Sequence, residues 1–306
     1  MASVKDVGRA VVFGGSGFLG RRIVEWLAAE GIETRVAVRH PEAVVTPEGP
    51  ASVGEIHAVY ADVRDESSVA LAIEGCDAVV NAVGLYVEQG SETFEAVHEP
   101  GAMNVAHRAT ARGIARLTHI SGIGADLESE SSYVRARAKG DLMVKDACPS
   151  ATILCPSVIF SPDDTFVNTL AEIAKRSPVL PLFGSGATKL QPVYIGDVAA
   201  AVVKAIHDPN ARGKTYELGG PRRYSYRALI ELVLRQAGRR RLLLPVPFPI
   251  WDLLVSLASV LPHPPLTRAQ VTLMKSDNVV GKGQLSLADL GVEAKPLEDV
   301  LTQYVF

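Results

Sequence analysis

Residues 10–14 form a short apolar run that ends in Gly14-Gly15-Ser16-Gly17-Phe18-Leu19-Gly20, and no other stretch restricts the fold as tightly. A run without polar side chains is what a strand covered on both faces requires. Residues 18–30 then carry helical spacing, with Phe18, Leu19, Ile23, Trp26 and Leu27 on one face and Gly31 placed to end the helix. A strand that turns into a helix this abruptly needs positive φ or missing side chains, which glycine supplies. The helix start also offers unbonded amides and the positive end of the helix dipole, a ready site for a diphosphate. In this position the glycines point to a dinucleotide, with Gly14, Ser16, Gly17, Phe18, Leu19 and Gly20 as its contacts.

The alternation continues along the chain. Strand signals fall at 34–38, 56–60, 78–83, 116–120 and 152–160, and helical ones at 66–73, 93–112 and 132–147. Asp65 is placed to cap the helix at 66, and Pro100 predicts a break in the long helical segment. Such a pattern predicts an α/β fold, a Rossmann-type doubly wound parallel sheet with helices on both faces. Residues 1–160 are expected to form the nucleotide-binding core, with its last strands contributed by 190–220. Residues 161–306 are expected to form a smaller, mainly helical C-terminal lobe entwined with that core. There the pattern gives a loop over 178–188, a strand near 191–195 and a helix over 197–206.

The second strand ends Val36-Ala37-Val38-Arg39-His40. Sites for NAD(H) place a carboxylate at this tip to hold the ribose hydroxyls, and none is present. Arg39, with His40 beside it, suits a 2′-phosphate, so NADP(H) is expected ahead of NAD(H). Asp62 and Val63 follow the third strand, where the adenine would lie. Asn81, Ala82 and Val83 end the fourth, where backbone would pass close to the cofactor.

Charge and composition exclude several other classes. The net charge of -3 leaves no basic field for a nucleic acid. Cys76, Cys148 and Cys155 make no CxxC pair and have no histidine cluster beside them. Small buried hydrophobes are expected, with neither a metal site nor a disulfide framework. The apolar run after Lys5, Asp6 and Arg9 is too short for a signal-peptide core. Residues 242–261 approach the length of a membrane span but hold Pro245, Pro247, Pro249 and Asp252, so no span is expected. Arg239, Arg240 and Arg241 precede an apolar segment in which Trp251, Leu254, Val255 and Ala258 have helical spacing. That combination suits a membrane surface, a hydrophobic partner, the lid of an apolar pocket or the core of the lobe.

The order of the glycine loop, Asp62-Val63, the turn from Asn81 to Gly84, Ser121 and Tyr133 resembles the atypical and extended short-chain dehydrogenase/reductase superfamily. Four later segments are more specific: Pro156-Ser157-Val158-Ile159-Phe160, Gln191-Pro192-Val193-Tyr194-Ile195-Gly196-Asp197-Val198, Tyr216-Glu217-Leu218-Gly219-Gly220-Pro221, and Pro265-Leu266-Thr267 with Ser276-Asp277-Asn278-Val279. They are similar to one branch, the bacterial relatives of the nucleotide-binding accessory subunit of respiratory complex I. The resemblance implies a Rossmann fold with a small C-terminal lobe and tightly held NADP(H), with Tyr133, Arg137, Pro156, Ser157 and Val158 also at the cofactor. It implies complex I or quinone-related proteins as partners, and a cytoplasmic location with peripheral contact at the inner face of the cell membrane.

The resemblance also implies catalytic candidates: Tyr133 to protonate a carbonyl and Ser121 to position its oxygen. Four residues after the tyrosine, where such enzymes carry lysine, stands Arg137. Four helical residues turn about 400°, so Arg137 shares the face of Tyr133 while Arg135 and Lys139 do not. Its charge is expected to depress the tyrosine pKa, although its planar fork does not copy an ammonium group. Three functions follow as alternatives. One is a structural nucleotide in a protein of the respiratory chain or quinone metabolism. Another is an NADPH-dependent reductase, hydroxysteroid-dehydrogenase- or epimerase-like, acting on a hydrophobic carbonyl. The third is a regulator that senses NADP(H) and binds a protein.

Overall fold

Strands with apolar side chains on both faces must be covered on both faces. In the computed structural model, which describes residues 7–44, 54–258 and 266–304, they stack into one seven-stranded sheet. The first half supplies β1 (Arg9–Phe13), α1 (Phe18–Ala29), β2 (Glu33–Val38), β3 (Ile56–Tyr60), α2 (Glu66–Ile73), β4 (Ala78–Asn81), α3 (Phe94–His98), α4 (Pro100–Ala111), β5 (Leu117–Ile120), α5 (Ser132–Ala147) and β6 (Thr152–Pro156). The second half supplies β7 (Ile159–Phe160), α6 (Thr165–Arg176), β8 (Val179–Phe183), β9 (Lys189–Leu190), β10 (Val193–Tyr194), α7 (Ile195–His207), β11 (Thr215–Leu218), β12 (Tyr224–Ser225), α8 (Tyr226–Gln236), β13 (Leu242–Val246), α9 (Phe248–Ala258), α10 (Arg268–Leu273) and α11 (Leu297–Leu301).

The sheet runs β3-β2-β1-β4-β5-β6-β11, and every neighbouring pair is parallel. Helices α1 and α7 bury Ile23, Leu27, Val198 and Val202 on one face. Helices α2, α4 and α5 bury Val69, Val105 and Val144 on the other. Strand order reverses between β1 and β4, and a doubly wound sheet opens its ligand crevice at that point. Away from the main sheet, β8 and β13 pair in parallel, and α6, α8 and α11 close a separate core around Leu180, Leu182, Leu229 and Ile230.

The break at Pro100 takes the expected form. The proline occupies the first turn of α4, where its missing N–H costs nothing, and Glu99 leaves helical geometry at ψ −88. Helix α5 lies against this break at Gly140, where an added Cβ would stand 1.9 Å from the His98 carbonyl. Only glycine allows that approach, and it brings His98 beneath the first turn of α5.

Several expectations are corrected. The loop read over 178–188 contains β8, and the Pro-rich stretch after Arg241 contains β13. Pro181 and Pro245 fit because both strands belong to a two-stranded ribbon, where a missing donor is tolerated. The strand read as 152–160 stops at Pro156, and Ile159 and Phe160 pair with β10 instead. The strand read over 78–83 ends at Asn81. The strand near 191–195 shortens to Val193–Tyr194, and the helix expected over 197–206 runs Ile195–His207. Trp26 is not in the core; it is 38% exposed, and Val24 takes its place on the buried face of α1. Lys5, Asp6, Pro265 and residues 259–261 of the apolar C-terminal segment lie outside the described residues.

Candidate functional site

The loop after β1 forms a cradle for an anion. Gly14 has φ +74, and a Cβ there would meet the Ala82 carbonyl at 2.8 Å. Gly20 packs so closely that its Cβ would lie 2.1 Å from the Gly14 carbonyl. Gly17 caps α1 without a side-chain hydrogen bond, and no acid occupies the first turn. The amides opening the helix therefore face a ligand position rather than a protein carboxylate.

From this cradle a continuous crevice runs in both directions. Toward β2 and β3 lies a cavity of about 290 Å³, lined by Gly14, Ser16, Gly17, Arg39, Asp62 and Val63 among others. Ala82 and Val83 line it as well, while His40 and Asn81 do not. His40 is exposed beside Glu42, and Asn81 is buried, its Oδ1 accepting from the Val83 amide at 3.2 Å. Asn81 thus shapes the turn that lines the crevice. Arg64, which the sequence reading missed, grips Asp62 with Nη2 at 2.5 Å and Nε at 3.0 Å. That guanidinium holds the Asp62 carboxyl below the usual carboxylate range, against the opposing effect of burial.

In the other direction the crevice passes Phe18, Leu19 and Gly20 and reaches Tyr133, Ser121, Arg137 and Pro156. It then opens into a cavity of about 490 Å³ lined by Ser157, Val158, Ile123, Phe166 and Leu273. The Asn278 side chain donates to the Ile123 carbonyl at 3.2 Å and accepts from Ser157 Oγ at 2.5 Å. The C-terminal segment that carries it is therefore part of the wall. Among the described residues no group of His, Cys, Asp or Glu could hold a metal ion. Burial pushes the Cys155 thiol up to about 12 and Cys76 up to about 11, the opposite of a reactive thiolate.

Tyr133 sits in an aromatic box. Tyr86, Phe94 and His98 surround it with ring centroids at 5.7, 5.3 and 5.6 Å. Its side chain is only 4% exposed, and Arg137, one turn along α5, donates to the phenol oxygen. The guanidinium lies flat on Gly122, where a Cβ would stand 2.8 Å from two of its nitrogens. The expected depression of the tyrosine pKa is not found. Burial outweighs the neighbouring charge and pushes the phenol up to about 12. A phenol with that pKa keeps its proton, whereas a proton-transfer group suited to neutral pH sits much lower.

Ser121 is also committed inward. Its Oγ donates to Asp141 Oδ2 at 2.6 Å. His119 Nε2 stands 3.4 Å from the other carboxylate oxygen, a long contact that leaves that oxygen without a hydrogen bond. Burial alone would raise the Asp141 pKa, but His119, Ser121 and the charge of Arg137 together hold it below the usual range. Tyr133, Arg137 and Asp141 follow one another at intervals of four, so one helix face carries a buried phenol and a part-buried cation and anion. That spacing was visible in the sequence as a further signal. Nothing near Tyr133 in sequence marked His119 or His98.

His98 gives the site a pH signature. Burial, reinforced by the Arg137 charge, lowers its pKa to about 4, and its Nε2 lies 3.2 Å from the Leu85 carbonyl. In the unfolded chain a histidine takes its proton near 6.5, so this group stabilises the fold fully above that pH and progressively less below it. Between pH 6.5 and 5 the loss is about 2 kcal/mol. Urea unfolding of the protein is expected to show this loss, and His98→Gln is expected to remove most of it. A slope unchanged by the substitution would assign the acid sensitivity elsewhere.

Comparison with known proteins agrees with this geometry. Residues 10–219 match the family described as NAD dependent epimerase/dehydratase. The chain is 32% identical over 310 residues to NADH dehydrogenase (ubiquinone) 1 alpha subcomplex subunit 9, mitochondrial, of Arabidopsis thaliana, across 97% of this chain and 77% of that one. It is 32% identical over 203 residues to a ceramide reductase of Caulobacter vibrioides, across 66% and 62% of the two chains. A nucleoside-diphosphate-sugar epimerase from Staphylococcus aureus superposes with a TM-score of 0.75 at 18% identity, across 96% of this chain and 99% of that one, which is a likeness of fold.

Proposed function

The chain belongs to the NAD dependent epimerase/dehydratase family, and from that premise we propose that it is a nucleotide-holding member, one that binds NADP(H) in the crevice and serves the respiratory NADH:ubiquinone oxidoreductase or quinone metabolism as an accessory protein with little or no turnover of its own. The observation that carries this reading is the contrast between the two ends of the crevice. The glycine cradle is open and its helix amides are unclaimed by side chains. The proton-donating end is reached by the crevice, but its groups are already engaged, with Tyr133 only 4% exposed and bonded to Arg137 and the Ser121 proton given to Asp141. Gly14, Ser16, Gly17, Phe18, Leu19 and Gly20 would hold the diphosphate, Arg39 the 2′-phosphate, and Ala82, Val83, Pro156, Ser157 and Val158 would flank the rest. The bound dinucleotide would supply hydride chemistry where a carbonyl reached it. The similarity to the Arabidopsis thaliana subunit supports the respiratory setting.

The apolar surface of α9 supports peripheral contact with a membrane. Leu253 and Leu257 are 60% and 64% exposed, Val255 is the one buried side chain among the described residues of that helix, and Arg239 and Arg240 stand upstream. Among the described residues no helix is long and apolar enough to cross a membrane.

A second reading, a reductase of a hydrophobic carbonyl, is favoured by the apolar cavity of about 490 Å³ beside Tyr133 and by the likeness to a ceramide reductase. Two measurements test the proposal. Calorimetry is expected to show Arg39→Asp weakening NADPH by roughly tenfold or more while NADH changes little, because a charge-assisted phosphate contact is replaced by repulsion. Equal losses for both nucleotides would reject the assignment of Arg39. NADPH mixed with the protein and a quinone or long-chain ketone is expected to remain unoxidised, and steady oxidation would favour the reductase.

A further inference from the structure

The tip of β2 carries no acid, yet the fold delivers one. Glu92, 53 residues beyond Arg39, lies with its carboxylate on the Arg39 guanidinium. The turn that brings it is closed by two hydrogen bonds of 3.0 Å between the backbones of Gln89 and Glu92. Arg64 holds the same turn, its Nη1 donating to the carbonyl and hydroxyl of Ser91 at 3.2 Å. Arg64 is itself claimed by Asp62. Two guanidiniums therefore meet two carboxylates at the adenosine end, and the charges balance before any ligand arrives.

This balance treats the two nucleotides differently. A phosphomonoester brings about −1.5 to −2 charges at neutral pH. To pair with Arg39 it must displace Glu92 and then remain close to a displaced carboxylate. A ribose hydroxyl requires no displacement and can donate to a carboxylate where it stands. The pair is partly solvated, with Arg39 46% and Glu92 27% exposed, so displacement is affordable and the carboxylate dampens phosphate binding without forbidding it. We propose that Glu92 is the specificity-determining residue of the nucleotide site, a carboxylate supplied from the loop after β4 that competes with the 2′-phosphate for Arg39. The proposal rests on the nucleotide reading above and adds to it a residue that the β2 tip does not reveal.

The test measures NADPH and NADH affinities by calorimetry on the full chain, freed of nucleotide, for the wild type, Glu92→Gln, Glu92→Asp and Arg39→Gln with and without Glu92→Gln. Glu92→Gln is expected to bind NADPH about tenfold more tightly, one charge contact's worth, with NADH within about twofold. Glu92→Asp, one methylene shorter, is expected to give a smaller gain. In the Arg39→Gln background the NADPH gain from Glu92→Gln is expected to shrink to about threefold or less, because the competition has lost its object. Unchanged NADPH affinity in Glu92→Gln, or an equal gain for NADH, overturns the proposal while leaving the nucleotide reading intact. A wild-type protein that binds neither nucleotide overturns both.

Discussion

Gly17→Val is expected to leave the protein folded and to weaken dinucleotide binding by at least about a hundredfold, or 2.7 kcal/mol. The two halves of this result come from different contacts. Gly17 has φ −72 and ψ 171, a conformation open to any L residue, and a Cβ there meets only the Gly14 carbonyl at 3.2 Å. The fold therefore loses about 1 kcal/mol, the scale of an unfavourable N-cap. The branched side chain nevertheless stands at the helix start, where a diphosphate must touch backbone amides. Gly20 offers no such separation, since its Cβ would collide with the Gly14 carbonyl at 2.1 Å and disturb the strand itself. Melting without ligand, followed by calorimetry with NADPH and NADH, reads the two halves independently. Full nucleotide affinity in a folded Gly17→Val protein would remove the cradle from the account.

Arg137→Met is expected to cost about 1–3 kcal/mol of stability, the range for leaving hydrogen-bonding groups without a partner in a part-buried setting. A part-buried arginine without any charge to balance it would be better replaced by an apolar group. Tyr133 offers no compensation at neutral pH, since it keeps its proton to about 12. Asp141 does: it lies one turn along α5, is 14% exposed, and keeps its carboxyl below the usual range. The two charges therefore stabilise each other at a distance, with Arg137 bonded to Tyr133 and Asp141 held by Ser121 and His119. Asp141→Leu is expected to cost a similar amount, and the double variant clearly less than the sum, with a coupling of about 1–3 kcal/mol. Guanidinium unfolding curves on the four proteins measure this directly. Strict additivity would mean that the two charges do not sense each other.

Much of the fold was legible because its signals are local. The glycines after an apolar run, the Asp65 cap and the Pro100 break each act within a few residues, and each is found where the pattern put it. Strands β8 and β13 were missed because their pairing joins segments about sixty residues apart, and only that pairing makes Pro181 and Pro245 tolerable. The site divides in the same way. Tyr133 and Arg137 came from the family resemblance, and the helical repeat put them on one face, where Asp141 also lies. Glu92 carries no local mark; only the folded loop sets it against Arg39. The direction of the Tyr133 shift was misjudged because a nearby positive charge can be read from spacing, whereas the depth of burial that overrides it cannot.

On this reading the crevice between β1 and β4 holds a pyridine dinucleotide. Native mass spectrometry of the protein, purified without added nucleotide, tests it most directly. One NADP(H) per chain, absent from Gly17→Val prepared in parallel, is the predicted spectrum. A bare chain in both preparations, with no shift in melting temperature on adding NADPH or NADH, would contradict it.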